Sequence, residues 1–143
     1  MARTGVRAVA IIIKGNKVAL IHRKKEGRDY WVFPGGGVED GETPEDTVVR
    51  EVQEELSLDC KVVKLFFSVE SYPGGDKDPY FLCRADSDEI KLGGPEKERQ
   101  SEENWYSPQW VELEGVKQLN LLPETAKEQL LEKVSTELRP HLG

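Results

Sequence analysis

The sequence predicts an α/β fold, a sandwich built on a mixed β-sheet. Three observations point there. β-Branched and aromatic runs separated by turn signals fill the N-terminal part. One helix with clear start signals interrupts them. More strand-like runs and a closing helical pattern then follow, giving the order strands, helix, strands, helix.

Val6 to Ile13 and Val18 to Ile21 flank Lys14-Gly15-Asn16-Lys17, a hairpin signal. Tyr30 to Phe33 reads as a short aromatic strand, stopped by Pro34 and by Gly35, Gly36 and Gly37, which read as a loop. Thr43 to Leu56 reads as a helix. Thr43 suits the N-cap, Pro44 the first helical position, and Asp46 the positive end of the helix dipole. Val48, Val49, Val52 and Leu56 recur at helical spacing and mark its core face. Further strands are expected at Lys61 to Val69, Pro79 to Arg84 and Gln109 to Leu113. Ser71 to Asp76 and Gly93 to Asn104 are expected as loops. A last helix should start near Pro123 and run through Leu130, Leu131 and Val134.

A chain of 143 residues fits one domain, 1–143, and 37% hydrophobic residues suffice for one core. No apolar run approaches the roughly 20 residues that span a bilayer, so no membrane segment is expected. Ala8 to Ile13 is too short for a secretory core and reads as a buried strand. Cys60 and Cys83 form neither a disulfide framework nor a metal-ligand spacing, and both read as small core residues. The expected location is cytoplasmic. A net charge of −7 argues against wrapping a long nucleic acid, whose phosphates need neutralising. A small polyanion remains admissible if cations accompany it.

The chemistry is concentrated in Gly35-Gly36-Gly37-Val38-Glu39-Asp40-Gly41-Glu42 and the helix after it. Glu51, Glu54 and Glu55 stand at i, i+3 and i+4, so they project from one helical face. Like charges that close repel unless a cation neutralises them. Hard divalent ions such as Mg²⁺ take oxygen ligands and bridge to phosphates, which makes this face a metal platform. The alternative is a solvated acidic face with Arg50 paired to Glu54.

The spacing decides between them. Gly36, five residues, Glu42, seven residues, then Arg50-Glu51-Val52-Gln53-Glu54-Glu55-Leu56-Ser57-Leu58 resembles the Nudix box, with Ser57 in place of its last glycine. A coincidental match has a chance on the order of one in a million per chain. The resemblance implies a Nudix-type α/β/α sandwich and Mg²⁺- or Mn²⁺-dependent hydrolysis of a nucleoside diphosphate linked to another moiety. It implies Glu51, Glu54 and Glu55 as metal ligands, with Gly35 adding a backbone carbonyl. Arg50 would orient the glutamates, and Glu42 would tie the loop to the helix or reach a metal through water. The base that takes the proton from the attacking water is either a box glutamate such as Glu54 or a residue of a distant loop. Glu96, Glu98, Glu102 and Glu103 are the candidates there, Glu103 first, against the reading that all four solvate a loop. Ser57 falls where a left-handed cap favours glycine, so it bears on local stability rather than on catalysis.

His22-Arg23-Lys24-Lys25-Glu26-Gly27-Arg28 is the one basic cluster, and Arg23 and Lys25 are candidates to hold distal phosphates; a solvated turn is the competing reading. His22 reads as a satisfied strand residue. Trp31, Phe33, Tyr80 and Phe81 are candidates to stack a base, and Trp31 and Phe33, two residues apart, equally suit one core face. Pro73, 15 residues after the box, resembles a feature of the ADP-ribose-hydrolysing members. The expected activity is a nucleoside triphosphate pyrophosphatase, with an ADP-ribose pyrophosphatase or a non-catalytic nucleotide-binding module as alternatives. An acidic scaffold with a coincidental glutamate face stands further off. The expected partner is a small nucleotide, and assembly as monomer or homodimer is open.

Overall fold

The computed structural model describes residues 3–70, 73–87, 89–90 and 104–138. Its elements are β1 (Arg3–Lys14), β2 (Lys17–Lys25), β3 (Arg28–Val32), β4 (Gly35–Glu39), α1 (Pro44–Leu56), β5 (Cys60–Glu70), β6 (Lys77–Ala85), β7 (Asn104–Glu112), a 3₁₀ segment (Leu113–Gln118), β8 (Leu121–Leu122), α2 (Glu124–Lys133) and a π-helical turn (Val134–Leu138). Among the described residues no helix is long and apolar enough to cross a membrane.

The sheet is mixed and centres on β1, which changes partners along its length. Up to Ile12 it runs parallel to β6, with Val9 opposite Tyr80 and Ile12 opposite Cys83. Its other edge carries β4 antiparallel, Arg7 opposite Gly37 and Val9 opposite Gly35. Then β4 ends, the Ala10 N–H donates to the Pro34 carbonyl at 2.9 Å, and from Ile13 the strand pairs with β2 through the hairpin at Gly15. β2 carries β3 on one edge and β7 on the other over its whole length, and β3 takes β8 in parallel. β5 closes the far side against β6.

The period-2 pattern of β1 explains two cores. Ala8, Ala10 and Ile12 face α1, where Val48, Val52 and Leu56 are fully buried; Val9 and Ile11 face the cluster that holds Phe33, Tyr80 and Leu130 of α2. Fully burying each such aliphatic side chain stabilises by roughly 1.5–3 kcal/mol. Cys60 and Cys83 lie in the α1 core.

Four expectations need correction. The glycine run is not a loop: Gly35–Glu39 is a strand, because without side chains it can lie close against β1. Val49 is 40% exposed, since burial follows the i, i+4 row of Val48, Val52 and Leu56 and leaves Val49 at its edge. The basic cluster is not a free turn. His22 to Lys25 extend β2, and the turn is only Glu26-Gly27, both at positive φ, 51° and 80°, as a tight two-residue hairpin requires. β7 begins at Asn104 rather than Gln109. Its Pro108 sits on a strand that, among the described residues, pairs only with β2, where a missing N–H is tolerated. Most of the expected 93–104 loop lies outside the described residues, as do Ser71 and Tyr72.

Candidate active site

The start of α1 fixes the angles at which its glutamates project. The Thr43 hydroxyl accepts from the Asp46 N–H at 3.1 Å, and the Asp46 carboxylate accepts from the Thr43 N–H at 3.4 Å. This reciprocal capping box, with Pro44 at the first turn, anchors the helix one turn before Arg50.

Arg50 organises the carboxylates around it. It binds Glu42 with two prongs, Nε to Oε2 at 2.7 Å and Nη2 to Oε1 at 3.0 Å. Nη1 donates to Glu51 Oε1 at 3.0 Å and to Glu54 Oε2 at 3.5 Å, and Nη2 reaches the Gly37 carbonyl at 3.4 Å. The i, i+4 pair expected of a solvated helix face is thus the longest of these carboxylate hydrogen bonds, and the pairing with Glu42 dominates. Glu42 also accepts from the Glu39 N–H at 3.1 Å and the Thr47 hydroxyl at 2.9 Å. The Arg50 hydrogen bond, ahead of these two donors, holds the Glu42 carboxyl at about 2, well below the ordinary carboxylate value. The same pairing pushes the Arg50 guanidinium up, so it stays charged. Glu42 therefore ties the β4–α1 connection to the helix.

The glycines of β4 have steric reasons. A Cβ on Gly35 would lie 2.5 Å from the Ala8 carbonyl oxygen and 2.8 Å from Val9 Cα. A Cβ on Gly36 would lie 2.5 Å from the Glu51 carboxyl carbon. Glu51, 9% exposed, fills the space that Gly36 leaves. The Gly35 N–H donates to Glu55 Oε1 at 2.8 Å. Among the described residues no three His, Cys, Asp or Glu side chains are already gathered as a metal clasp. The donor set nevertheless fits a hard divalent cation: carboxylate oxygens from Glu51, Glu54 and Glu55, with a side-chain-free cradle at Gly36.

Beside this cluster, where β1 changes partners, lies a crevice of about 330 Å³ whose wall includes Glu55, Arg7, Arg23, Phe33, Tyr80 and Tyr106. That volume is at the small end for ligand sites. Phe33 and Tyr80 meet edge to face at 5.5 Å. Burial, then the Asp78 charge, pushes the Tyr80 phenol up, so its hydroxyl stays protonated.

Of the expected substrate-binding residues, Arg23 and Phe33 are on this wall. Lys25 is exposed at the far end of β2 and does not line it. Trp31 stacks on His22 at 4.3 Å, away from the crevice, while His22 contacts Asp29 at 2.6 Å. Phe81 is buried in the α1 core. Glu96, Glu98, Glu102 and Glu103 lie outside the described residues. Tyr106 and Arg7 were not anticipated. Tyr106 sits directly across from Arg23, a pairing visible only once β7 is extended back to Asn104.

The NUDIX domain model matches residues 3–131, and the chain belongs to the Nudix family. An RNA pyrophosphohydrolase of Vibrio vulnificus (strain YJ016) is 36% identical over a region covering 59% of each chain. This chain thus spans a little under two thirds of that curated relative. A MutT NUDIX hydrolase from Burkholderia pseudomallei superposes with a TM-score of 0.67 at 25% identity, covering 87% of this chain and 96% of that one. An ADP-ribose pyrophosphatase from Streptococcus suis 89-1591 gives 0.65 at 23% identity, with 92% of each chain covered, a likeness of fold alone.

Proposed function

We propose that the chain is a divalent-cation-dependent pyrophosphohydrolase that cleaves nucleoside triphosphates to the monophosphate and pyrophosphate. One observation carries this reading: Glu55 belongs both to the carboxylate set of α1 and to the crevice wall that holds Arg7 and Arg23. A nucleotide in the crevice therefore brings its phosphates to the carboxylates, with two guanidinium groups on the same wall. Glu51, Glu54 and Glu55 would hold Mg²⁺ or Mn²⁺, with the Gly35 carbonyl as a further ligand. When bound, such an ion neutralises phosphate oxygens and acidifies water. Arg50 and Glu42 keep the glutamates aimed, Phe33 and Tyr80, buried in the core behind the crevice wall, back the nucleotide with an apolar floor, and Glu54 or Glu103 accepts the proton of the attacking water.

A second reading has its own support. Pro73 lines a neighbouring hollow of about 520 Å³ that shares Pro123 with the crevice. Its other walls include Ser68, Glu70, Glu124 and Gln129. Such groups suit sugar hydroxyls better than phosphate, as ADP-ribose hydrolysis would need.

Product release is to be measured over nucleoside triphosphates, ADP-ribose and, given the name borne by the Vibrio relative, a 5′-triphosphorylated oligoribonucleotide. Activity should require Mg²⁺ or Mn²⁺ and vanish with EDTA. A kcat/KM for ADP-ribose above that for every triphosphate would reverse the choice between the two readings.

A further inference from the structure

Arg23 has unusual surroundings for a cation in an acidic chain. Its guanidinium lies 4.2 Å from the Tyr106 ring centroid and 5.7 Å from that of Tyr30. Nη2 donates to the Tyr106 hydroxyl at 2.8 Å and to Asn104 Oδ1 at 3.2 Å. Among the described residues no carboxylate lies within ion-pair distance, although the chain carries a net charge of −7. Its Nε is buried and has no hydrogen-bond partner. A buried donor left unpaired is costly, more so on a charged group. Nε itself is closed off by its burial, so any ligand acceptor must come to the rest of the guanidinium, which lies on the wall of the crevice with no carboxylate beside it among the described residues.

The support comes from β7. Tyr106 pairs directly with Arg23 across the β2–β7 ladder, and Asn104 pairs with Lys25 one step further along the same face. Both use the same nitrogen, Nη2. The N–H groups on Nη1 are left over for a ligand, and the nearby Tyr106 and Tyr30 rings restrain the group that carries them.

Building on the pyrophosphohydrolase reading, we infer that Tyr106 and Asn104 are positioning residues that hold Arg23 so that its remaining N–H groups bind a phosphate oxygen of the substrate. The chemistry favours phosphate because the group is a full cation with several unpaired donors. Neither positioning residue need touch the substrate. Their effect belongs to affinity rather than to the bond-breaking step.

The test uses Tyr106→Phe, which keeps the ring and removes the hydroxyl. KM for nucleoside triphosphates should rise about ten-fold, as expected for one hydrogen bond to a charged group. kcat should change by less than about two-fold, and the rise should be equal for all four bases. Asn104→Ala should act in the same direction. In an Arg23→Ala background, Tyr106→Phe should add nothing, since the interaction it supports is already gone. Melting curves for each variant separate loss of positioning from loss of fold. An unchanged KM, additive effects in the double mutant, or a KM rise confined to one base would overturn the inference. Binding of inorganic tripolyphosphate to the Mg²⁺-loaded protein, followed by calorimetry, separates it from the proposed activity. If no nucleoside triphosphate is cleaved but tripolyphosphate still binds and weakens about ten-fold in Tyr106→Phe, the activity is wrong and the positioning role stands. If cleavage occurs with Tyr106→Phe indistinguishable from the parent, the positioning role alone falls. If the parent neither cleaves nor binds, both fall.

Discussion

Arg50 lies within ion-pair distance of Glu39, Glu42, Glu51 and Glu54, whereas among the described residues Arg23 meets only a phenol, an amide oxygen and two aromatic faces. The first guanidinium is committed to the protein's own carboxylates; the second has no carboxylate beside it among the described residues. Glu42, the main partner of Arg50, titrates accordingly. Because Glu42 is more acidic in the folded chain, at about 2 against an ordinary 4.5, its ionised form favours folding. That contribution is complete above the ordinary value and is lost as pH falls from there toward 2. Glu42→Gln should therefore flatten the acid limb of a melting-temperature profile between about pH 5 and 2. A mutant limb as steep as the parent's would show that another group drives acid unfolding. Glu54 tests the metal platform. Glu54→Gln should lower kcat by about a hundred-fold or more and abolish thermal stabilisation by Mg²⁺. The metal-free melting temperature should stay level or rise, because like charge is relieved. Equal stabilisation of mutant and parent by Mg²⁺ would remove Glu54 from the ligand set. The carboxylate spacing and Arg50 were legible in the sequence because helical geometry fixes which side chains share a face. Tyr106 was not, because its partner comes from a strand far away in the chain.

Among the elements, α1 shows how local signals set geometry. Its capping box, initial proline and row of Val48, Val52 and Leu56 follow from residue types at fixed spacing. Its far end does too. Ser57 adopts φ 58° and ψ 36°, the left-handed cap inferred from the family's glycine, and its N–H bonds the Gln53 carbonyl at 3.1 Å. Ser57→Gly should raise stability by up to about 1 kcal/mol in chemical denaturation, since glycine enters that region without steric penalty. A loss of stability would mean that the greater freedom of the unfolded glycine chain outweighs the relieved strain. β4 escaped the sequence reading for the opposite reason. Three glycines carry no alternation of polar and apolar side chains, yet that absence lets the strand lie against β1 and Glu51. β5 also departs from simple alternation. Irregularities between Val62 and Lys64 and between Leu65 and Phe67 shift its register, leaving Val63 and Leu65 more than half exposed.

At the scale of the whole molecule, the α/β class and the order of elements were legible from periodicity, but the crevice was not. It depends on which strands β1 leaves and joins, and pairing between distant strands has no short-range signature. The consequence for substrate binding is a split within the basic cluster. Arg23→Ala should raise KM for triphosphates by at least ten-fold, roughly the worth of one charge-assisted hydrogen bond. Lys25→Ala, at the exposed end of the hairpin, should leave KM within about two-fold. Equal effects of the two substitutions would mean that the phosphates track the hairpin surface instead of entering the crevice.

The change of partners along β1 also sets the proposed site on two pieces of chain. The carboxylate helix rests on the stretch through Ala8, Ala10 and Ile12, while Arg23 and Tyr106 ride on the ladder that begins at Ile13 and Val18. One continuous backbone joins the two pieces, and they also meet in the α1 core, where Ala19 and Ile21 of β2 are buried and Tyr106 and Trp110 of β7 pack against it. A chimaera that receives the β2–β3 hairpin and β7 of another family member should change its preferred nucleotide while keeping its metal requirement. A loss of activity in the chimaera would show that the shared core ties the two pieces together.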